Sequence, residues 1–241
     1  MTSLARRLLA EFSGTALLVS VVVGSGIMAQ RLSTDIGLQL LANSTATVFG
    51  LAVLIAVLGP VSGAHFNPVV SLADWWIGRK SGAGLTAGDL GGYVLAQILG
   101  AVAGSMLANA MFAEPVVAWS TTDRSSAHLW LGEVVATAGL LMVIFSLARS
   151  GRTALAPAAV AAYIGAAYWF TSSTSFANPA VTIGRAFSDT FAGIAPSSVP
   201  GFLVAQAIGG IVGLLLVLGL FGRPEAGLEE QPVMSDSSSG R

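Results

Sequence analysis

The chain has 241 residues, 54% hydrophobic and 10% charged, with a net charge of −1. A soluble domain carries roughly a quarter charged residues, so lipid is the expected solvent, and a net charge this small provides no field to recruit nucleic acid. There is no cysteine and the only histidines are His65 and His128, which excludes disulfides, thiolate metal sites, cysteine nucleophiles and a histidine-rich metal centre; neither a metal nor a cofactor is expected.

The N-terminus places Arg6-Arg7 before a long apolar run, as a signal peptide would. Glu11 lies inside that run, the apolar character continues to Ala29 and further apolar runs follow, so this is read as a retained first span after a short cytoplasmic segment, 1–7. A spanning helix needs about 20 mostly apolar residues. The stretches 8–29, 38–58, 90–112, 129–148, 154–170 and 199–221 meet that need approximately, the fifth being the shortest. The apolar pieces 68–77 and 179–191 are too short to cross. The tail 222–241 is polar and Ser-rich, a composition expected to be disordered. Arg6, Arg7, Arg79, Lys80, Arg149, Arg152 and Arg223 fall on one side of this six-span arrangement, and only Arg31, Arg124 and Arg185 on the other. Positive loops stay inside, so both termini are expected in the cytoplasm of a cell bounded by this (inner) membrane.

The chain repeats itself. Ser62-Gly-Ala-His-Phe-Asn-Pro-Val-Val-Ser71 matches Ser173-Thr-Ser-Phe-Ala-Asn-Pro-Ala-Val-Thr182 around a shared Asn-Pro. Glu11 and Thr15 recur as Glu133 and Thr137, and Tyr93 to Gln97 recur as Phe202 to Gln206. After each Gln, Gly100 and Gly104 match Gly209 and Gly213, a small-xxx-small packing face in both helices. Each half, 8–112 and 129–221 with 113–128 connecting them, holds three spans and a half-helix. An odd number of spans turns the second half over, so the expected fold is all-α: six transmembrane helices and two re-entrant half-helices in an inverted 3+3 repeat. Such repeats place their common site near the bilayer midplane, where broken helices meet.

Asn is a strong N-cap and Pro suits the first helical position, where its missing N–H costs nothing. Asn67-Pro68 and Asn178-Pro179 are therefore competent helix starts. The small, polar residues before them (Gly63, Ala64 and His65 in one half, Ser173 and Thr174 in the other) are read as extended pore-lining loops offering carbonyl acceptors, since irregular backbone at this depth survives only in protein or beside a water-filled cavity. A helix N-terminus carries roughly half a positive charge, and two meeting nose to nose repel protons and other cations. The Asn amides remain able to donate to neutral oxygen-bearing solutes. Glu11 and Glu133 lie in apolar spans, where a carboxylate must be paired or hydrogen-bonded; they are expected to accept hydrogen bonds from the re-entrant loops.

These residues resemble the aquaporin family, also called the major intrinsic proteins, over about 8–221. The resemblance rests on Ser-Gly-Ala-His-Phe-Asn-Pro-Val at 62–69 and Phe-Ala-Asn-Pro-Ala at 176–180, with the paired Glu and Gln positions. It implies a homotetramer in the lipid bilayer, each protomer passing water, glycerol or similar small neutral solutes, with no catalysis. It also implies a pore motif of Asn67, Pro68 and Val69 with Asn178, Pro179 and Ala180. Val69 stands where the family usually has Ala. The larger departure is Val181, where the family usually places the Arg of its outer constriction. The remaining filter positions are Ser175, Thr47 or Phe49 on the second span, and Tyr168 or Ala166 on the fifth. Arg185 lies one helical turn beyond Val181 on the same face and either returns a charge to the mouth or, in the favoured reading, is solvated and paired with Asp189; Asp74 holds the equivalent cytoplasmic position. A pore wider than that of water-only members is expected. The Val181 pattern resembles bacterial members linked to arsenic resistance, which implies arsenous acid or methylated arsenicals as permeants. An ion-coupled secondary transporter is the alternative, since inverted repeats and broken helices also occur there, with Glu11 and Glu133 as its only titratable midplane groups.

Overall fold

The computed structural model describes residues 2–79 and 84–222; Lys80, Arg223 and the expected disordered tail beyond Gly222 lie outside them. The described residues form eight α-helices and no strand: α1 Leu4–Leu32, α2 Ile36–Ser62, α3 Pro68–Gly78, α4 Ala87–Met111, α5 Ala127–Arg149, α6 Ala156–Phe170, α7 Pro179–Arg185 and α8 Val199–Phe221. Six are long and apolar enough to cross a membrane, counting the short 3₁₀ turns that precede α6 and α8. The spans run past their expected limits. In α1, helix begins at Leu4 within the expected N-terminal segment, and α2 continues through Pro60 to Ser62. A proline in the last turn removes one hydrogen bond without ending the helix.

Helix α1 packs on α4 and α2, α5 packs on α8 and α6, and α2 meets α6 to join the halves. The glycine pairs decide how close α1 comes to α4 and α5 to α8. Gly100 and Gly104 face the carbonyl oxygens of Phe12 and Ala16 so closely that a Cβ would overlap them. Across the repeat, a Cβ at Gly209 or Gly213 would stand 2.5 or 2.6 Å from the carbonyl oxygens of Val134 and Ala138. Each pair therefore lets two backbones touch, at equivalent places in the two halves.

The half-helices are unequal. Helix α3 runs to Gly78, but α7 stops at Arg185, six residues short of the expected Phe191. The cause lies in its neighbours. The Gly184 carbonyl accepts from the Ser105 hydroxyl at 2.7 Å, Ala186 from the Ser120 N–H at 3.0 Å, and Phe187 from the Asn109 amide at 3.0 Å. Donors from α4 and the 113–126 loop take the carbonyls that a longer helix would need for itself. Val69, the departure from Ala, is accommodated: its Cγ1 fills the space over Gly210, where a Cβ would come within 2.7 Å.

Candidate permeation pore

Both Asn-Pro pairs start their helices as capping chemistry requires. The Asn67 carboxamide oxygen accepts from the Val69 N–H at 3.0 Å, and that of Asn178 from Ala180 and Val181 at 3.0 and 3.2 Å. Their amide nitrogens cross between the halves. Asn67 donates to the Ala177 carbonyl at 2.8 Å and Asn178 to the Phe66 carbonyl at 2.7 Å. A carboxamide has two N–H donors, so each Asn keeps one beyond the bond that crosses between the halves.

The loops leading in are not extended, as expected from sequence, but tightly folded. Gly63, Ala64 and Phe66 have φ of 89, 49 and 48°, and their counterparts Thr174, Ser175 and Ala177 have 62, 54 and 48°. Left-handed backbone costs a non-glycine residue about 1–2 kcal/mol, and the same three offsets bear it in both halves. Two buried carboxylates hold it in place. Glu11 accepts from the Ser62 hydroxyl at 2.6 Å, His65 N–H at 3.0 Å, Phe66 N–H at 2.7 Å and Gln97 amide at 2.7 Å. Glu133 accepts from Phe176 N–H at 2.8 Å, Ala177 N–H at 2.8 Å and Gln206 amide at 2.6 Å. Gln97 and Gln206 continue to Ser71 and Thr182, each four residues past its Asn.

A cavity of about 200 Å³ runs past both Asn residues. Thr47, Tyr168, Ser175 and Val181 line it, as do Gly63, Ala64 and His65. The alternatives on the spans do not: Phe49 is 68% exposed on the outer surface, and Ala166 is exposed too. Ser173 and Thr174 are absent from its wall, which Phe176 and Ala177 form instead. Ser173 is fully buried, and its hydroxyl accepts from the Ser175 N–H. Much of the remaining wall is apolar, with Leu18 and Val22 matching Leu140 and Ile144 across the repeat. Sequence periodicity missed these residues because spans that are apolar all round carry no preferred face.

The Thr47 hydroxyl donates to the Asn43 carbonyl at 2.8 Å and lies 3.2 Å from the Tyr168 hydroxyl. Its one hydrogen is spent on Asn43, so Tyr168 donates to Thr47. Arg185 is neither solvated nor paired with Asp189. It is 3% exposed, lines the cavity, gives its Nε–H to the Ala192 carbonyl and lays its guanidinium 3.4 Å from the centre of the Phe176 ring. Asp189 instead accepts from Thr121, at 2.8 Å from its N–H. The short α7 explains the change, because chain turning back at 186–195 covers Arg185. In the adjacent loop, hydrogen bonds from Ser125 and Ser198 hold the Asp123 carboxyl below the usual carboxylate range.

The sequence profile described as "Major intrinsic protein" matches residues 1–177. The chain belongs to the major intrinsic protein family. It is 50% identical over 214 residues to the aquaglyceroporin AqpS of Rhizobium meliloti, covering 89% of each chain. It is 34% identical over 236 residues to aquaporin Z of Brucella melitensis, covering 90% of this chain and 98% of that one. The fold is similar to that of the Plasmodium falciparum aquaglyceroporin, with a TM-score of 0.66 at 22% identity over 92% of this chain and 96% of that one. Family membership makes the chain a multi-pass membrane protein and a passive channel for water and small solutes; it is neither an enzyme nor the coupled transporter that inverted repeats alone would also allow.

Proposed function

We propose that this aquaporin passes uncharged solutes at least as large as glycerol, including arsenous acid or methylated arsenicals, through an outer filter of Thr47, Tyr168, Ser175 and Val181. The observation that carries the reading is Val181 on the cavity wall, where the family usually sets an arginine. A small apolar side chain there removes the bulk and the fixed donors that narrow a water-only pore. The 50% identical relative is called an aquaglyceroporin, which favours the same solute class. Asn67 and Asn178 form the central station, where two helix N-termini disfavour cations and one free amide hydrogen on each Asn meets the solute.

Both termini face the cytoplasm in this reading, since the basic residues gather on their side of the membrane. That membrane is the cell (inner) membrane. The functional unit is the homotetramer that the family resemblance implies, with one pore per protomer and no nucleic acid or cofactor involved. Stopped-flow light scattering on proteoliposomes tests the filter, comparing water, glycerol, urea and arsenous acid in the wild type and Val181→Arg. The arginine variant is expected to lose about tenfold or more of its glycerol and arsenous acid flux, as for a barrier raised by about 1.4 kcal/mol or more, while water flux persists. Unchanged uptake of the larger solutes would sink the wide-filter reading.

A further inference from the structure

Two donors at the outer end of the cavity have no hydrogen-bond partner among the described residues. The Ser175 hydroxyl is buried without a hydrogen bond, and its residue lines the cavity at 3% exposure. The terminal guanidinium nitrogens of Arg185 make no hydrogen bond among the described residues and are not sealed off from the cavity that Arg185 lines. The hydroxyls of Thr47 and Tyr168 have already spent their hydrogens, that of Thr47 on the Asn43 carbonyl and that of Tyr168 on Thr47. A solute oxygen arriving from this side therefore meets one hydroxyl donor and one fixed cation.

The cation is held firmly in place. Its Nε–H is anchored on the Ala192 carbonyl and its plane rests on Phe176, which in turn packs edge-on against Phe202 at 5.0 Å. A second guanidinium, that of Arg124, lies 5.1 Å from the same ring and is tied to the Gly193 carbonyl at 2.9 Å. Delocalised charge over an aromatic face is favourable and keeps a guanidinium oriented. No carboxylate forms an ion pair with Arg185 among the described residues; the buried Glu133 acts on it only from beyond ion-pair distance.

We propose that Arg185, seven residues after Asn178, is the outer charge filter of this pore, acting with Ser175 as a docking station for the oxygens of neutral solutes. Val181 opens the width of the constriction, and Arg185 keeps it closed to cations from a recessed position one helical turn away. Width and charge selection, which a single arginine would combine, are separated here onto two residues. The inference rests on the wide-pore reading only for the size of the solute.

Guanidinium and urea make a suitable pair of probes, since they share a shape and differ in charge. Their uptake into proteoliposomes is measured for the full chain and for Arg185→Gln, Arg185→Lys and the double variant Arg185→Gln/Val181→Arg. Arg185→Gln should raise the guanidinium-to-urea ratio about tenfold, the equivalent of about 1.4 kcal/mol. Arg185→Lys should stay near the wild type, and the double variant should return to it. An unchanged ratio in Arg185→Gln overturns the proposal. So does an equal rise in Arg185→Lys, which would make Arg185 only a strut for the 186–195 chain. Should Arg185→Gln fail to fold, Val181→Arg alone decides, read as the same guanidinium-to-urea ratio so that the narrowing cancels: a fall beyond about tenfold means that the wild-type mouth carried no effective charge, and a smaller fall supports the proposal. Absence of urea flux in the wild type sinks the wide-pore reading, while guanidinium influx alone still decides the role of Arg185.

Discussion

The two mouths of the pore are built from the same plan and end in opposite chemistry. Three residues past each Asn the wall carries a valine, Val70 on one side and Val181 on the other. Two residues before each Asn an aromatic ring packs on the partner helix: His65 on Tyr93 at 5.5 Å, and Phe176 on Phe202 at 5.0 Å. Seven residues past each Asn the lining residue is charged, and there the halves part: Asp74 at the mouth beside the N-terminus, Arg185 at the other. The repeat holds where two half-helices must meet and their backbone polar groups must be satisfied. It diverges toward the mouths, where each side faces a different solution and no symmetry is required.

The strongest test of the shared plan concerns the two carboxylates. Each donor left unsatisfied in a buried site costs about 1–3 kcal/mol. Glu11→Ala and Glu133→Ala should both lower the thermal unfolding temperature in detergent sharply. Glu11→Ala should do more harm, because four donors depend on Glu11 and three on Glu133. Equal losses would mean that the Ser62 hydroxyl adds nothing.

Next come the glycine contacts. Gly104→Ala and Gly213→Ala should each destabilise by about 1–3 kcal/mol through overpacking. The first should cost more, because its Cβ would press harder on the opposing carbonyl. Denaturation of the purified variants ranks them, and a reversed order would break the argument from backbone spacing.

Neutralising the other mouth should matter less than neutralising Arg185. The Asp74 carboxylate also accepts from the Leu85 N–H at 2.9 Å, and a charge at a water-filled mouth is worth about 1 kcal/mol. Asp74→Asn should therefore cut residual guanidinium influx by no more than about fivefold and leave urea flux alone. A larger cut would place the main charge selection on the Asp74 side.

The smallest effect belongs to the loop beside the Arg185 mouth. Asp123 has a folded pKa below its unfolded one. Its contribution is therefore complete above about pH 4 and is lost as pH falls through the lowered value. Protection of the 121–126 amides, taken relative to their intrinsic exchange rates, should fall on acidification in the wild type and stay flatter in Asp123→Asn. The same acid response in both would assign it to another group.

The order of elements, the inverted repeat, the Asn-Pro helix starts and the family were all legible in the chain. They rest on local chemistry: apolar length, capping residues, and identical residues at identical offsets. Tertiary structure decided the rest. Thr47 and Phe49 are equally plausible from sequence, and only the docking of α2 on α1 and α6 turns Thr47 inward and leaves Phe49 outside. The loops carry left-handed residues that no composition announces, since Ala64, Phe66 and Ser175 adopt them only under the pull of Glu11 and Glu133. Arg185 is the clearest case. A Lys or Arg beyond a short helix reads as solvated, because burying a charge without a carboxylate is costly. A carbonyl seven residues further along the chain and an aromatic ring nine residues back supply what a carboxylate would have. Neither can be located until α7 ends early and the chain folds back over the mouth.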